Sequence, residues 1–210
     1  MNSKEYFDNV AHQWDRMRKT FFSESVRERA FTVAGLSCIQ KGKLAADIGA
    51  GTGFVTEGLI DKGLKVIAVD QSEAMLSEMR KKLAGVEGID YRVGVADKLP
   101  VADEAVDYVF DNMYLHHVDD PPAAIKEMVR ILKPGGKLVV TDLDAHNFEF
   151  LKTEQHDRWM GFNREDVRLW FEEAELKNIF VDCVGENCCA RSNTGTEAAN
   201  ISIFVASGEK

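Results

Sequence analysis

Apolar and polar residues follow one another along this chain in two rhythms. At the start, Tyr6, Phe7, Val10, Trp14 and Met17 recur every three or four positions, so residues 4–34 read as helical. Further on, short apolar runs alternate with helix-period stretches. Strands are predicted at 43–48, 65–70, 90–94, 105–111 and 137–142, with helices at 53–62, 72–83 and 122–132 between them. Such alternation implies crossover connections and a mostly parallel sheet covered by helices on both faces. After Leu143 the rhythm changes. A helix is predicted at 164–174, followed by strands at 179–184 and 200–206. With no helix between them, those two strands should pair antiparallel.

Bulk properties narrow the picture. The chain has 210 residues, 45% hydrophobic and 29% charged, which suits one α/β domain. A net charge of -9 repels nucleic acid, and the densest basic stretch, "RMRKT", is too short to override that field. No apolar run approaches the ~20 residues that span a bilayer. The opening "MNSKEYFDNV" is polar and has no signal-peptide core, so a cytoplasmic location and no membrane partner are expected. Cys38, Cys183, Cys188 and Cys189 are too few and too unevenly placed for a disulfide framework.

The richest local chemistry is "LAADIGAGTGF", from Leu44 to Phe54. Gly49, Gly51 and Gly53 stand between a predicted strand and a predicted helix, where glycine allows a sharp turn and close approach of a ligand to the backbone. Asp47 ends the strand and offers an acceptor to a cationic or amine-bearing ligand. The next strand ends at Asp70, placed to accept both hydroxyls of a ribose. The spacing D-x-G-x-G-x-G differs from the G-x-G-x-x-G of dinucleotide-binding loops.

With "VDQSEAML", "GVADKLPV" and "FDNMYLHHVDDPPAAIKEMVRILKPGGKLVVTDL" following in order, the chain resembles class I S-adenosylmethionine-dependent methyltransferases of the type 11, ubiquinone- and menaquinone-biosynthesis-like kind. The likeness covers roughly residues 40–145 closely. It implies a single Rossmann-like domain, α/β, with a seven-stranded sheet in the order 3-2-1-4-5-7-6 and the last strand antiparallel. A helical lid at 1–35, a cofactor core at 40–145, a cap at 144–176 and a strand pair at 177–210 would compose it. The cofactor would be S-adenosylmethionine, leaving S-adenosylhomocysteine, and the partner a small-molecule acceptor, with the protein a monomer or homodimer.

The same resemblance assigns roles. Gly49, Ala50, Gly51 and Gly53 pass the methionine moiety, with Asp47 near its ammonium. Asp70 holds the ribose, Gln71 lies beside the adenine, and Ala96 and Asp97 edge its ring. Val95 stands where the family usually has an acid. Asp111 or Asn112 faces the methionine portion, and Tyr6, Phe7 and Trp14 belong to a lid over the cofactor, with Tyr6 and Trp14 touching it, besides packing the helix on the sheet. His116 and His117 read as packing residues, or as one substrate contact. Glu172 and Glu173 read as a solvated helix face.

The stretch after the fifth strand contains His146, His156, Asp157, Arg158 and Trp159. It resembles methyltransferases fused or adjacent to ArsR-type repressors, whose winged-helix part has no counterpart in front of this core. Two readings stand: a cap with Trp159 as its core, or a substrate wall. A protonated nucleophile would need a base, with His146, His156 and His117 as candidates in that order. Cys188 and Cys189 cannot easily bridge one another, because so short a ring is strained. They read as inert or redox-sensing thiols or, with Cys183, as a soft metalloid site, so arsenite is an alternative acceptor. A non-catalytic cofactor-binding protein is the other alternative.

Overall fold

A computed structural model of the chain describes residues 3–210. Seven strands form one sheet: β1 (Leu44–Ile48), β2 (Lys65–Asp70), β3 (Ile89–Val93), β4 (Val106–Asn112), β5 (Leu132–Leu143), β6 (Lys177–Arg191) and β7 (Ala198–Glu209). Their order is β3-β2-β1-β4-β5-β7-β6, as the resemblance implied. The first five are mutually parallel, and β7 runs antiparallel to both β5 and β6. Register sets Asp47 opposite Ala68 and Phe110, and Ile48 opposite Val69 and Asp111. The acids at the strand ends therefore gather along one rim, where ligands of open α/β sheets bind.

Helices cover both faces. On one side α6 (Pro121–Ile131) and α8 (Arg164–Glu173) bury Ile125, Met128, Val167 and Phe171 against Ile48, Val69, Val109 and Val140. On the other, α3 (Ser25–Ala34) and α4 (Phe54–Asp61) bury Val26, Phe31, Val55 and Leu59 against Ala45, Val66, Phe110 and Val139. Local signals fix the ends. Ser72 caps α5 (Glu73–Lys82) by accepting from Met75 N at 3.1 Å. Asp120 caps α6 ahead of Pro121, which needs no N–H partner there.

The structure adds detail in three places. Residues 4–34 are not one helix but α1 (Ser3–Val10), a 3-10 turn (Ala11–Gln13), α2 (Trp14–Phe21) and α3. The turn bends the chain and Phe22 is extended (φ -156°), burying its ring against Phe54 at 5.7 Å. The segment thus wraps over the strand ends. Second, β6 and β7 are 15 and 12 residues long, well beyond the predicted strands. Their outer halves form a hairpin, and a bulge between Cys183 and Asn187 breaks the alternation that marks a strand. Third, a short helix, α7 (Phe150–Glu154), stands in the cap. Among the described residues no helix is long and apolar enough to cross a membrane.

Candidate functional site

The turn from β1 into α4 is a strip of bare backbone. Gly49 (φ 69°) lies under Tyr114, and a Cβ there would overlap the tyrosine ring. Asp47 is buried behind the turn. Its carboxylate accepts from Thr56 N at 2.9 Å and Thr56 Oγ1 at 2.6 Å, tying β1 to α4. Burial still pushes its pKa up to about 7. Asp70 at the end of β2 accepts from Gly51 N and Ser72 N, both at 2.8 Å, and burial pushes it up to about 6.

These residues line a first cavity of about 60 Å³. Its floor is Asp47, Gly49, Ala50, Gly51, Asp70, Gln71 and Asn112, and its roof includes Phe7, Trp14 and Phe22. Gly53 lies outside the lining, turned toward Met79. Past Tyr114 and Gln71 an open recess continues along Val95, Ala96 and Asp97. Asp111 is fully buried and lines neither this cavity nor the recess, and only the Leu115 backbone N–H is directed at its carboxylate. Burial, with Asp142 nearby, holds its pKa well above the usual carboxylate range.

The N-terminal helices, expected as a lid, are tied to the rest of the chain at several points. Tyr6 Oη donates to Gln155 Oε1 at 2.7 Å, Ser72 Oγ donates to Asp8 at 2.6 Å, and Thr52 Oγ1 donates to Asp15 at 2.5 Å. Phe7 stands edge-on to Trp14 and to His117, with centroids 5.2 and 5.0 Å away. Trp14 and Phe7 reach the cavities, while Tyr6 packs behind them against His156.

A second cavity, also about 60 Å³, shares Phe7, Trp14, Phe22, Met113 and His117 with the first. Phe21, Leu143, Leu151 and Ala190 make it apolar, and His116, His117, Gln155, Asp157 and Cys188 give it one polar end. His116 Nδ1 donates to Asp142 Oδ1 at 2.6 Å, and Asp142 also accepts from the His116 and Leu143 backbone. Burial would lower the His116 pKa, but Asp142 and Asp157 raise it to about 9. His117 has no comparable ion pair, and burial holds it well below 6.5. Cys188 is a buried thiol pushed up to about 12.

Of the three histidines expected as bases, only His117 lines either of these two cavities. His146 is turned aside, with Nδ1 accepting from Phe148 N at 3.2 Å and Nε2 buried without a partner. His156, at φ 60°, contributes its carbonyl to His117 Nδ1 at 3.4 Å rather than its ring to the cavity. Trp159 lines neither cavity. Its Nε1 donates to Val118 O at 3.0 Å, and its ring is part-exposed. Arg158 pairs with Asp119 at 2.6 Å. Glu172 and Glu173 are exposed, and Glu173 faces Lys126 at 3.8 Å.

The three-cysteine cluster is not formed. Neighbouring residues of a strand point to opposite faces, so Cys188 is buried beside the second cavity while Cys189 is exposed. Among the described residues, the one group of three or more His, Cys, Asp or Glu side chains whose ligand atoms come together is His116, His117 and Asp157. Sequence reasoning passed over Tyr114, Met113 and Gln155. The first two follow the end of β4 directly, on the ligand rim, and that position was the available signal.

Comparison with known proteins places this geometry. The model of the methyltransferase domain matches residues 46–140. Demethylmenaquinone methyltransferase of Staphylococcus aureus is 30% identical over 222 aligned positions, covering 92% of this chain and 88% of that protein. The Renibacterium salmoninarum demethylmenaquinone methyltransferase is 34% identical over 148, covering 70% of this chain, which spans 61% of that protein's length. Among solved structures, a Haloferax volcanii methyltransferase in complex with the Trm112 activator superposes with a TM-score of 0.75 at 20% identity, covering 99% of this chain and 97% of that one. Haemonchus contortus phosphoethanolamine N-methyltransferase 2, solved with phosphomonomethylethanolamine and S-adenosylhomocysteine, gives 0.71 at 17% identity, covering 87% and 52%.

Proposed function

The chain belongs to the class I S-adenosylmethionine-dependent methyltransferases, and from that premise we propose that it methylates a small, largely apolar, hydroxyl-bearing acceptor held in the second cavity. One observation carries this: two cavities share a wall, one built on glycine backbone and strand-end acids, the other apolar with a single polar end. The relatives named for demethylmenaquinone support a quinone-type acceptor.

The cofactor brings a methyl group already activated on a sulfonium, so the protein's task is placement and exclusion of water. The residues present suit it. Gly49, Ala50 and Gly51 offer bare backbone to its methionine part, with Asp47 and Asn112 on the same rim and Asp111 buried beneath it. Asp70 uses two of its roughly four acceptor positions on Gly51 and Ser72, leaving the others for ribose hydroxyls. Gln71, Ala96 and Asp97 flank the recess that suits adenine. Phe7 and Trp14 roof both cavities, keeping water from the shared wall. An O–H acceptor must shed its proton, and His117, the one expected base on the cavity wall, is assigned that contact.

Calorimetry of S-adenosylmethionine with wild type and Asp70→Ala tests the cofactor assignment. Measurable binding that the variant abolishes is expected, and unchanged affinity refutes it. Release of S-adenosylhomocysteine with hydroquinones of increasing apolar bulk tests the acceptor class. Turnover limited to hydrophilic amines would overturn it.

A further inference from the structure

We propose that the polar end of the acceptor cavity is a binding site for a first-row divalent cation, held by His116 Nε2, His117 Nε2 and Asp157. This rests on the acceptor-cavity reading above and deepens it. Asp157 Oδ1 lies 3.8 Å from His116 Nε2 and 4.0 Å from His117 Nε2, too far for hydrogen bonds. The ligand atoms of the three residues all lie within 4.8 Å of one another. A point equidistant from the corners of such a triangle is no more than about 2.5 Å from each, and closing by a few tenths of an ångström gives the bond lengths of zinc to imidazole and carboxylate.

Two further features fit a cation better than packing alone. Each imidazole is oriented through its other nitrogen. His116 Nδ1 donates to Asp142 at 2.6 Å, and His117 Nδ1 faces the His156 carbonyl, which can only accept. Both rings thereby aim Nε2 at Asp157, the outer-shell arrangement that orients metal-binding histidines. Charge is the second feature. Asp142 and Asp157 are both buried, and a proton on one imidazole offsets only one carboxylate. A divalent cation between neutral imidazoles offsets both.

Three protein ligands leave positions open, and all three residues line the acceptor cavity. The cation would take an acceptor oxygen there and favour its anionic form. The His117 lone pair then holds the ion, and the proton of the cation-bound acceptor oxygen passes to solvent, so His117 serves as a ligand in place of the base role given above. Two histidines and one carboxylate suit zinc, cobalt, iron or manganese rather than magnesium or calcium.

The test uses the full chain, stripped with a chelator and titrated with cobalt(II) alone, with visible absorption as the readout and zinc as competitor. One equivalent should bind with d–d bands, and zinc should bleach them. Asp157→Asn and His117→Ala should each weaken binding at least about tenfold, with cooperative melting retained as the fold control. Cys38→Ser, Cys189→Ser and His12→Ala, all at exposed positions, should leave the cobalt spectrum unchanged. No uptake by wild type, or uptake that survives both Asp157→Asn and His117→Ala, overturns the proposal. Calorimetry with S-adenosylmethionine on the same stripped sample separates the two readings. Cofactor binding without cobalt binding removes the cation and leaves the methyltransferase assignment intact. Cobalt binding without cofactor binding does the reverse.

Discussion

Asp70→Asn should change how stability depends on pH. Asp70 is buried, and its pKa in the folded protein is about 6 against an ordinary 3.8. The folded state therefore holds this proton more tightly than the unfolded chain, and stability falls as pH rises through that window. Full ionisation of a group shifted by about 2 units costs about 3 kcal/mol, of which about 2 kcal/mol develops between about pH 4.5 and about pH 7.5. Asparagine keeps the shape without the charge. It loses one of the two N–H bonds, from Gly51 or Ser72, at a cost of about 1 kcal/mol that does not vary with pH. Asp47, pushed up to about 7 mainly by burial and partly by the Asp70 charge, titrates in both proteins, and losing that charge in the variant eases its ionisation too, which adds to the difference in the same direction. Thermal melts of ligand-free protein at the two pH values read the effect. The melting temperature of the variant relative to wild type should rise by about 4–8 °C from the lower to the higher pH, given a chain of this size. A constant gap, or one that moves the other way, would show that Asp70 is not held above its ordinary pKa and that the burial argument is wrong.

Other substitutions probe the remaining parts of the site. Gly49→Ala places a Cβ into Tyr114 at a left-handed backbone position, so it should lower stability by about 1–3 kcal/mol in chemical denaturation and abolish cofactor binding by calorimetry. Asp15→Ala removes the latch to Thr52, and limited proteolysis should then cut within residues 10–24 faster than in wild type, with global stability changed by less than about 1 kcal/mol. Cys188→Leu narrows the acceptor cavity without touching the glycine loop. The KM for an apolar acceptor should rise about tenfold or more while the Kd for S-adenosylmethionine stays within about twofold.

The cavity at the glycine turn, proposed for the cofactor, was legible because it is local. Strand, glycine turn and helix follow within residues 44–61, and the acid that faces the turn ends the very next strand. Hydrophobic period and turn chemistry alone could place those pieces, and strand–helix alternation then gave a mostly parallel sheet, while its strand order came from the family resemblance. The second cavity, proposed for the acceptor, was not legible in the same way. Its wall is assembled from the lid, the residue after β4, α7, the loop before α8 and the outer part of β6, which no short window of sequence contains.

The histidines show why placement on the ligand face is not enough. His116 and His117 lie in the 3-10 turn (Leu115–His117) after β4, and His146 and His156 both lie in the segment after β5, so topology brings all four near the rim. Which rings face the cavity is decided by backbone details. Ala145 and His146 donate to the carbonyls of Phe162 and Met160, zipping the start of the cap loop to its end, and the chain can close there because Gly161 has φ 65° and no Cβ to strike the Asp144 backbone. That closure turns His146 toward Phe148 and leaves His156 in a left-handed turn with its ring against Tyr6. Asp157 is delivered to His116 and His117 by the same closure, since Arg158 and Trp159 donate their backbone N–H groups to the His116 carbonyl. Gly161→Ala should therefore disturb the polar end of the acceptor cavity from a distance, lowering acceptor affinity while the glycine loop and Asp70 continue to bind the cofactor. Equal loss of both affinities would mean that the cap and the cofactor core are not separable in this way.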